Sequence, residues 1–396
     1  VLVVTLLFFE ATVRVLYGAG ILPVPGRIAF MERGDGPMQF DPILGFRIGA
    51  TPARFAQLTH GVLEFQSVLQ GNNLGLPDED DIFPQRGKGD VLRILVLGDS
   101  FTAGIFLETD WTKRVEALAR EAGTPVELLN FSVQGGGLAN WWSMITRLLD
   151  PEDYEIDAVV VAALSFDLLR EFFIHETRGY DHWMGGYVPA PKPSEWPKDL
   201  DEARPYLREI DGYILSPAQF DAVVARQWHP LAPQHAWEPY SPVWIQAVSV
   251  FFLDLLDLLI TGGNPLVLPD AFYPWQDEMI QDMVDYLDRR SLPVMLVRVP
   301  IKSQVMGGEE PEPLLLQFGE ALGADFVDGA IAFDGFSKAQ IDAHWMPYDP
   351  HWNQEGSDRF ADLLFDSLRE WTDNFREAPA RNVRAPQVAG AGQVSD

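Results

Sequence analysis

The sequence predicts an α/β fold in which a parallel sheet is covered by helices on both faces, preceded by a membrane anchor helix and interrupted by one large insertion. Two observations carry this prediction. Short apolar runs bounded by turn residues recur at 91–97 (VLRILVL), 158–164 (AVVVAAL) and 293–299 (PVMLVRV), and such runs read as strands buried on both faces. Segments of helical periodicity lie between them, as crossovers between parallel strands require.

Taken in order, residues 1–22 are mostly apolar and long enough to span a bilayer, interrupted by Glu10 and Arg14. These two are four apart, on one helical face, where they can pair. The same stretch is compatible with the tail of a signal peptide. The absence of a small-residue cleavage pattern and the Pro23-Val-Pro25-Gly26 stop favour an anchor. Residues 23–90 read as an irregular linker rich in Gly and Pro. The α/β domain is expected over 91–376, with strands at 91–97, 125–133, 158–164, 293–299 and 325–327 and helices at 110–122, 138–149 and 356–371.

The insertion, 168–292, begins with a stretch crowded with Pro and aromatics (Tyr180, His182, Trp183, Trp196, Trp228, His229, His235, Trp237), expected to act as a lid or docking surface. Its second half predicts a helix at 243–260, with Ser241 as N-cap and Gly262 past the end. Fourteen of those 18 residues are apolar and the polar four fall on one stripe, which suits a helix buried against the body or lying at a membrane surface. Residues 377–396 read as an extended tail.

Composition narrows the function. With 29 Lys+Arg against 58 Asp+Glu the net charge is −29, which repels nucleic-acid backbones. The chain has no cysteine, so disulfides, thiolate nucleophiles and Cys-ligated metals are excluded. Its His residues are scattered, without the i, i+4 pairing of a helix-borne metal site. No cofactor and no metal are expected.

Two segments carry candidate chemistry. Gly98-Asp99-Ser100-Phe101-Thr102-Ala103-Gly104 follows the first core strand, at the carboxyl end where open α/β sheets bind ligands. A serine hydroxyl there needs a general base, and the base needs a partner that fixes its tautomer. Asp349-Pro350-His351-Trp352-Asn353-Gln354-Glu355-Gly356, opening the last helix, offers His351 as base and Asp349 as its orienter. Asp342-Ala343-His344-Trp345 repeats the D-x-H-W pattern seven residues earlier, but no N-x-x-G follows it, so His351 is preferred.

Together with the glycine block Asn130-Phe-Ser-Val-Gln-Gly135-Gly136-Gly137, these segments resemble the SGNH/GDSL hydrolase superfamily, and within it the membrane-anchored bacterial branch related to alginate O-acetylation proteins. The resemblance implies a flavodoxin-like three-layer α/β/α fold and a periplasmic location for the bulk of the chain. It also implies Ser100 as nucleophile, His351 as base, Asp349 as its orienter, and the backbone N–H groups of Ser100 and Gly135 in the oxyanion hole. Two departures stand out. Tyr348 occupies the position where the family commonly has its Asp, three before the His. In the third block, DAVVVAALSFDL, Phe166 stands where the family has an oxyanion-donating Asn, followed by Asp167. Asn130, Asn140 and Ser165 are near enough in sequence to substitute.

Two functions follow. One is a membrane-anchored serine esterase or O-acyltransferase acting on acylated saccharides of the cell envelope. The other is a catalytically reduced accessory or scaffold subunit of a larger membrane complex, bioenergetic in one version, that binds partner proteins through anchor, insertion and tail.

Overall fold

A computed structural model gives the architecture. It describes residues 27–59, 62–86, 91–152, 154–189, 192–226, 269 and 271–377, together with 4, 5, 8, 9, 11 and 12. The predicted anchor (beyond those six residues), the helix at 243–260 and the tail from 378 onward lie outside the described residues. Among the described residues no helix is long and apolar enough to cross a membrane.

The segment expected to be irregular, 23–90, instead holds five strands: β1 (Arg27–Glu32), β2 (Met38–Asp41), β3 (Gly45–Ile48), β4 (Ala53–Thr59) and β5 (Val62–Leu69). The core then opens with β6 (Leu92–Gly98), followed by the short α1 (Ser100–Ala103) and α2 (Trp111–Glu121), then β7 (Val126–Ser132), α3 (Leu138–Met144) and β8 (Ala158–Ala163). The insertion supplies β9 (Phe172–Glu176), β10 (His182–Val188) and β11 (Arg208–Leu215). Thereafter come α4 (Pro274–Arg290), β12 (Val294–Arg298), α5 (Pro313–Leu322), β13 (Asp325–Asp328), α6 (Lys338–Ala343) and α7 (Gln354–Glu377).

The inner sheet has the order β13-β12-β8-β6-β7, and every pairing in it is parallel. Every residue of β6, β8 and β12 is buried, as unbroken apolar runs require when helices cover both faces. Helices α2 and α7 pack together, while α3 and α5 both pack on α4, giving the expected three layers. The strand order reverses between β6 and β8, so the carboxyl end of β6 is a topological switch point.

A second, outer sheet has the order β5-β4-β1-β11-β10-β9. It is the main correction to the sequence reading, because it joins the supposed linker to the supposed lid: β1 pairs in parallel with β11, Phe30 opposite Tyr213. The reason is physical. These strands carry Gly at positions such as Gly185 and Gly186 and gain their stability from partners far along the chain rather than from local pattern. The strand expected at 325–327, by contrast, is present as Asp325–Asp328, and its partner β12 lies only two short helices back along the chain.

Candidate active site

The carboxyl end of β6 is built for a sharp turn. The Asp99 side chain caps α1 by accepting from the Phe101 N–H at 2.9 Å, and Gly104 ends it in the left-handed region at φ 58. Ser100 is the first residue of α1, so its backbone N–H lies outside the intrahelical ladder. Its Oγ lies 2.7 Å from His351 Nε2 and 3.3 Å from Asp99 Oδ2. A hydroxyl has one proton, and the shorter contact directs it to the imidazole.

His351 and Asp349 come from the loop before α7. The His351 Nδ1 proton is donated to Asp349 Oδ1, which also accepts the His351 backbone N–H at 3.0 Å. This carboxylate partner selects the tautomer that leaves Nε2 free to accept the serine proton. The rings of Phe101 and Phe106 each sit 4.4 Å from the imidazole, centroid to centroid, and limit its freedom. The structure therefore brings together Ser100, His351 and Asp349, which are separated by about two thirds of the chain. His344 stands elsewhere: its Nδ1 bonds the Gln340 carbonyl at 2.7 Å, and Asp342 pairs with Lys302.

Asp349 has a further shell of contacts that sequence reasoning missed. Gln57 of β4 donates to Asp349 Oδ2 at 2.9 Å, and Glu64 of β5 accepts the Tyr348 and Asp349 N–H groups at 2.8 and 2.9 Å. No local signal marks either residue, because the outer sheet itself was not legible.

Beside Ser100 the glycine block folds tightly. Gly135 adopts φ 74, and a Cβ there would come within 3.1–3.3 Å of the Phe173 ring. Among the described residues its N–H has no acceptor, consistent with a donor held ready for a ligand. The Gly135 carbonyl accepts from Tyr187 at 3.1 Å, and the Gly136 carbonyl accepts from Arg170 Nη1 at 2.7 Å. At Gly137 a Cβ would overlap the Asp167 carbonyl oxygen, so this glycine permits the block to touch the 165–169 turn.

The Phe166 departure has a structural counterpart. Its ring lies under the Arg170 guanidinium, 4.6 Å from Cζ to centroid. Arg170 Nη1 also reaches Asp167 Oδ1 at 2.6 Å and Asp99 Oδ2 at 3.4 Å. Burial, and then the neighbouring Asp99, push the Asp167 carboxyl well above the usual range, against the pull of Arg170. The three proposed substitutes for the missing Asn are committed elsewhere. Asn140 gives its amide protons to the Leu44 and Phe173 carbonyls, Ser165 donates to Glu312, and Asn130 donates to the Thr102 carbonyl. Arg170 follows Asp167 by three residues, a spacing that could have flagged it; Tyr187 carried no such signal.

A cavity of about 650 Å³ opens beside Ala103–Ile105, between Ser67–Gln70 of the outer sheet region and Asp78, Glu108 and Asp110; neither Ser100 nor His351 lines it. Among the described residues no group of three or more His, Asp or Glu converges as a metal site would.

No family model matches the chain, and no curated protein matches it. Solved structures do show likeness. A psychrotrophic esterase, EstA, from Pseudoalteromonas sp. is 12% identical over 71% of this chain and 99% of its own, with a TM-score of 0.35. A lipase/acylhydrolase from Enterococcus faecalis is 12% identical over 71% of this chain and 97% of its own, at a TM-score of 0.35. AlinE4, an SGNH-hydrolase family esterase, is 15% identical over 74% of this chain and 100% of its own, at 0.30.

Proposed function

We propose that the chain is a serine esterase of the SGNH type. One observation carries the proposal: the Ser100 hydroxyl lies 2.7 Å from a His351 nitrogen whose other ring nitrogen is held by a buried Asp349. In the acylation step Ser100 Oγ bonds to the ester carbonyl carbon while its proton moves to His351 Nε2. Asp349 stabilises the resulting imidazolium. The tetrahedral oxyanion takes the N–H groups of Ser100 and Gly135, then collapses as His351 protonates the departing alcohol. Water, or a sugar hydroxyl in the transferase variant, gives its proton to His351 and attacks the acyl carbon, and His351 passes that proton to Ser100 Oγ as the acyl–Oγ bond breaks.

The hole lacks the side-chain donor that Phe166 displaces. Loss of one such donor costs about 10²–10³ in rate, so turnover slower by that factor than in an enzyme keeping the Asn is part of the proposal. Membrane anchoring through residues 1–22, a periplasmic site of action and an acylated envelope saccharide as substrate extend the same reading from the resemblance. Membrane partition of the full chain, compared with a chain starting at residue 23, tests the first of these.

The primary test is hydrolysis of p-nitrophenyl acetate by the wild-type chain and by Ser100→Ala. Activity above background that vanishes in the variant supports the esterase. Equal rates in the two remove it and favour the accessory-subunit reading.

A further inference from the structure

The outer sheet is an addition to the three-layer core, yet two of its side chains end on the loop that carries Asp349 and His351. Gln57 is buried, with 1% of its surface exposed. Its Nε2 donates to Asp349 Oδ2 and to Glu64 Oε2, both at 2.9 Å, so a neutral amide bridges two carboxylates. The other oxygen of Glu64 accepts both backbone N–H groups that enter the loop, those of Tyr348 and Asp349. Thr59 adds a fourth donor to Glu64. The acid of the triad is thus gripped on its side chain and its backbone by one sheet.

Buried acceptors are costly when unmatched, and groups linked in one network act as a unit. Asp349 Oδ1 serves His351 twice, through the ring and through the backbone. Gln57 on Oδ2 then sets the carboxylate plane, and with it the direction in which His351 Nε2 faces Ser100. Glu64 adds a second negative charge behind Asp349, which favours the imidazolium formed when the serine proton is taken. Among the described residues, Asp349 meets the titratable Glu64 from the outer sheet and His351 from its own loop. Glu64 in turn faces Asp349, with Gln57 and Thr59 as its neutral donors.

We propose that Gln57 and Glu64 are positioning residues of the acyl-transfer reaction, so that the outer sheet assembled from the N-terminal segment and the insertion is a working part of the triad. This rests on the esterase reading above. The test uses the full chain with Gln57→Met, which keeps length but removes both donors, and Glu64→Gln, which keeps shape but removes the charge. Gln57→Met is expected to lower kcat about tenfold with KM within about twofold, the effect of one lost hydrogen bond to a charged group. Glu64→Gln is expected to move the acid limb of the kcat/KM profile down by about half a pH unit, because withdrawing a negative charge makes the imidazolium a stronger acid.

A role confined to folding would lower the urea midpoint and scale activity with the folded fraction, leaving the acid limb in place, and that result overturns the proposal. Activity abolished by Ser100→Ala but unmoved in kcat and pH profile by both substitutions also overturns it, while the esterase reading stands. Activity unmoved by Ser100→Ala overturns both.

Discussion

Replacing Arg170 with Met tests the charge balance beside the candidate nucleophile. Arg170 is shared by Asp99 and Asp167, whose side chains are 1% and 0% exposed. Met retains much of the stem that packs on Phe166 but removes the guanidinium. An uncompensated buried charge costs about 3–5 kcal/mol. Asp167 can relieve part of that by taking up a proton, since burial and Asp99 already raise its pKa, so a loss near about 3 kcal/mol is expected at pH 7. The sign of the pH effect follows from linkage. A carboxyl whose folded pKa is raised binds protons more readily in the folded state, so stability increases as pH falls through that pKa. Arg170→Met raises the Asp167 pKa further, and its deficit against wild type must therefore shrink as pH falls through that raised pKa. Urea unfolding followed by tryptophan fluorescence on wild type, Arg170→Met, Asp167→Asn and the double variant measures this. The double variant should recover at least about 1 kcal/mol relative to additivity, as expected for groups in direct contact. A deficit that does not change with pH, together with additive single effects, would refute the reasoning.

Three further outcomes are expected. Burial drives the His175 imidazole down to about 4, so it contributes stability above about pH 6.5 that is lost as pH falls toward 4. His175→Phe should gain about 2–3 kcal/mol on wild type between pH 7 and pH 4.5 in urea unfolding. Asp110, raised by burial to about 6, works in the opposite sense in both proteins and cancels from that difference. Gly137→Ala should cost about 1–3 kcal/mol of stability and lower kcat, because the added methyl pushes the glycine block from the Asp167 carbonyl; unchanged esterase kinetics would remove that contact from the site. His344→Ala should leave hydrolysis within about twofold, whereas a loss as large as that of His351→Ala would show that the wrong D-x-H pair was chosen.

The parts of the site that could be read from the sequence are those whose signal is local. Ser100 was legible because a buried strand, a glycine and a short turn stand side by side in the chain. His351 was legible because an acid two residues before it and a helix after it mark a loop that opens an element. Its preference over His344 rested on the following N-x-x-G, and the geometry agrees: Asn353 Oδ1 accepts the Gly356 N–H at the start of α7. That Phe166 cannot donate a hydrogen bond was also visible. The failure of Asn130, Asn140 and Ser165 to supply one was not, since each had to be seen bonded to its own partner.

By itself, then, the sequence marked the five core strands, their helical crossovers and the three residues, Ser100, His351 and Asp349, that the fold brings together, because period, flanking turns and spacing are properties of neighbouring residues. Only the tertiary structure decided that a segment resembling a linker and a segment resembling a lid form one sheet, and that this sheet bonds to Asp349. Gln57 and Asp349 are 292 residues apart. A hydrogen bond over that distance depends on where two surfaces meet after folding, and nothing in the local pattern of either residue records it.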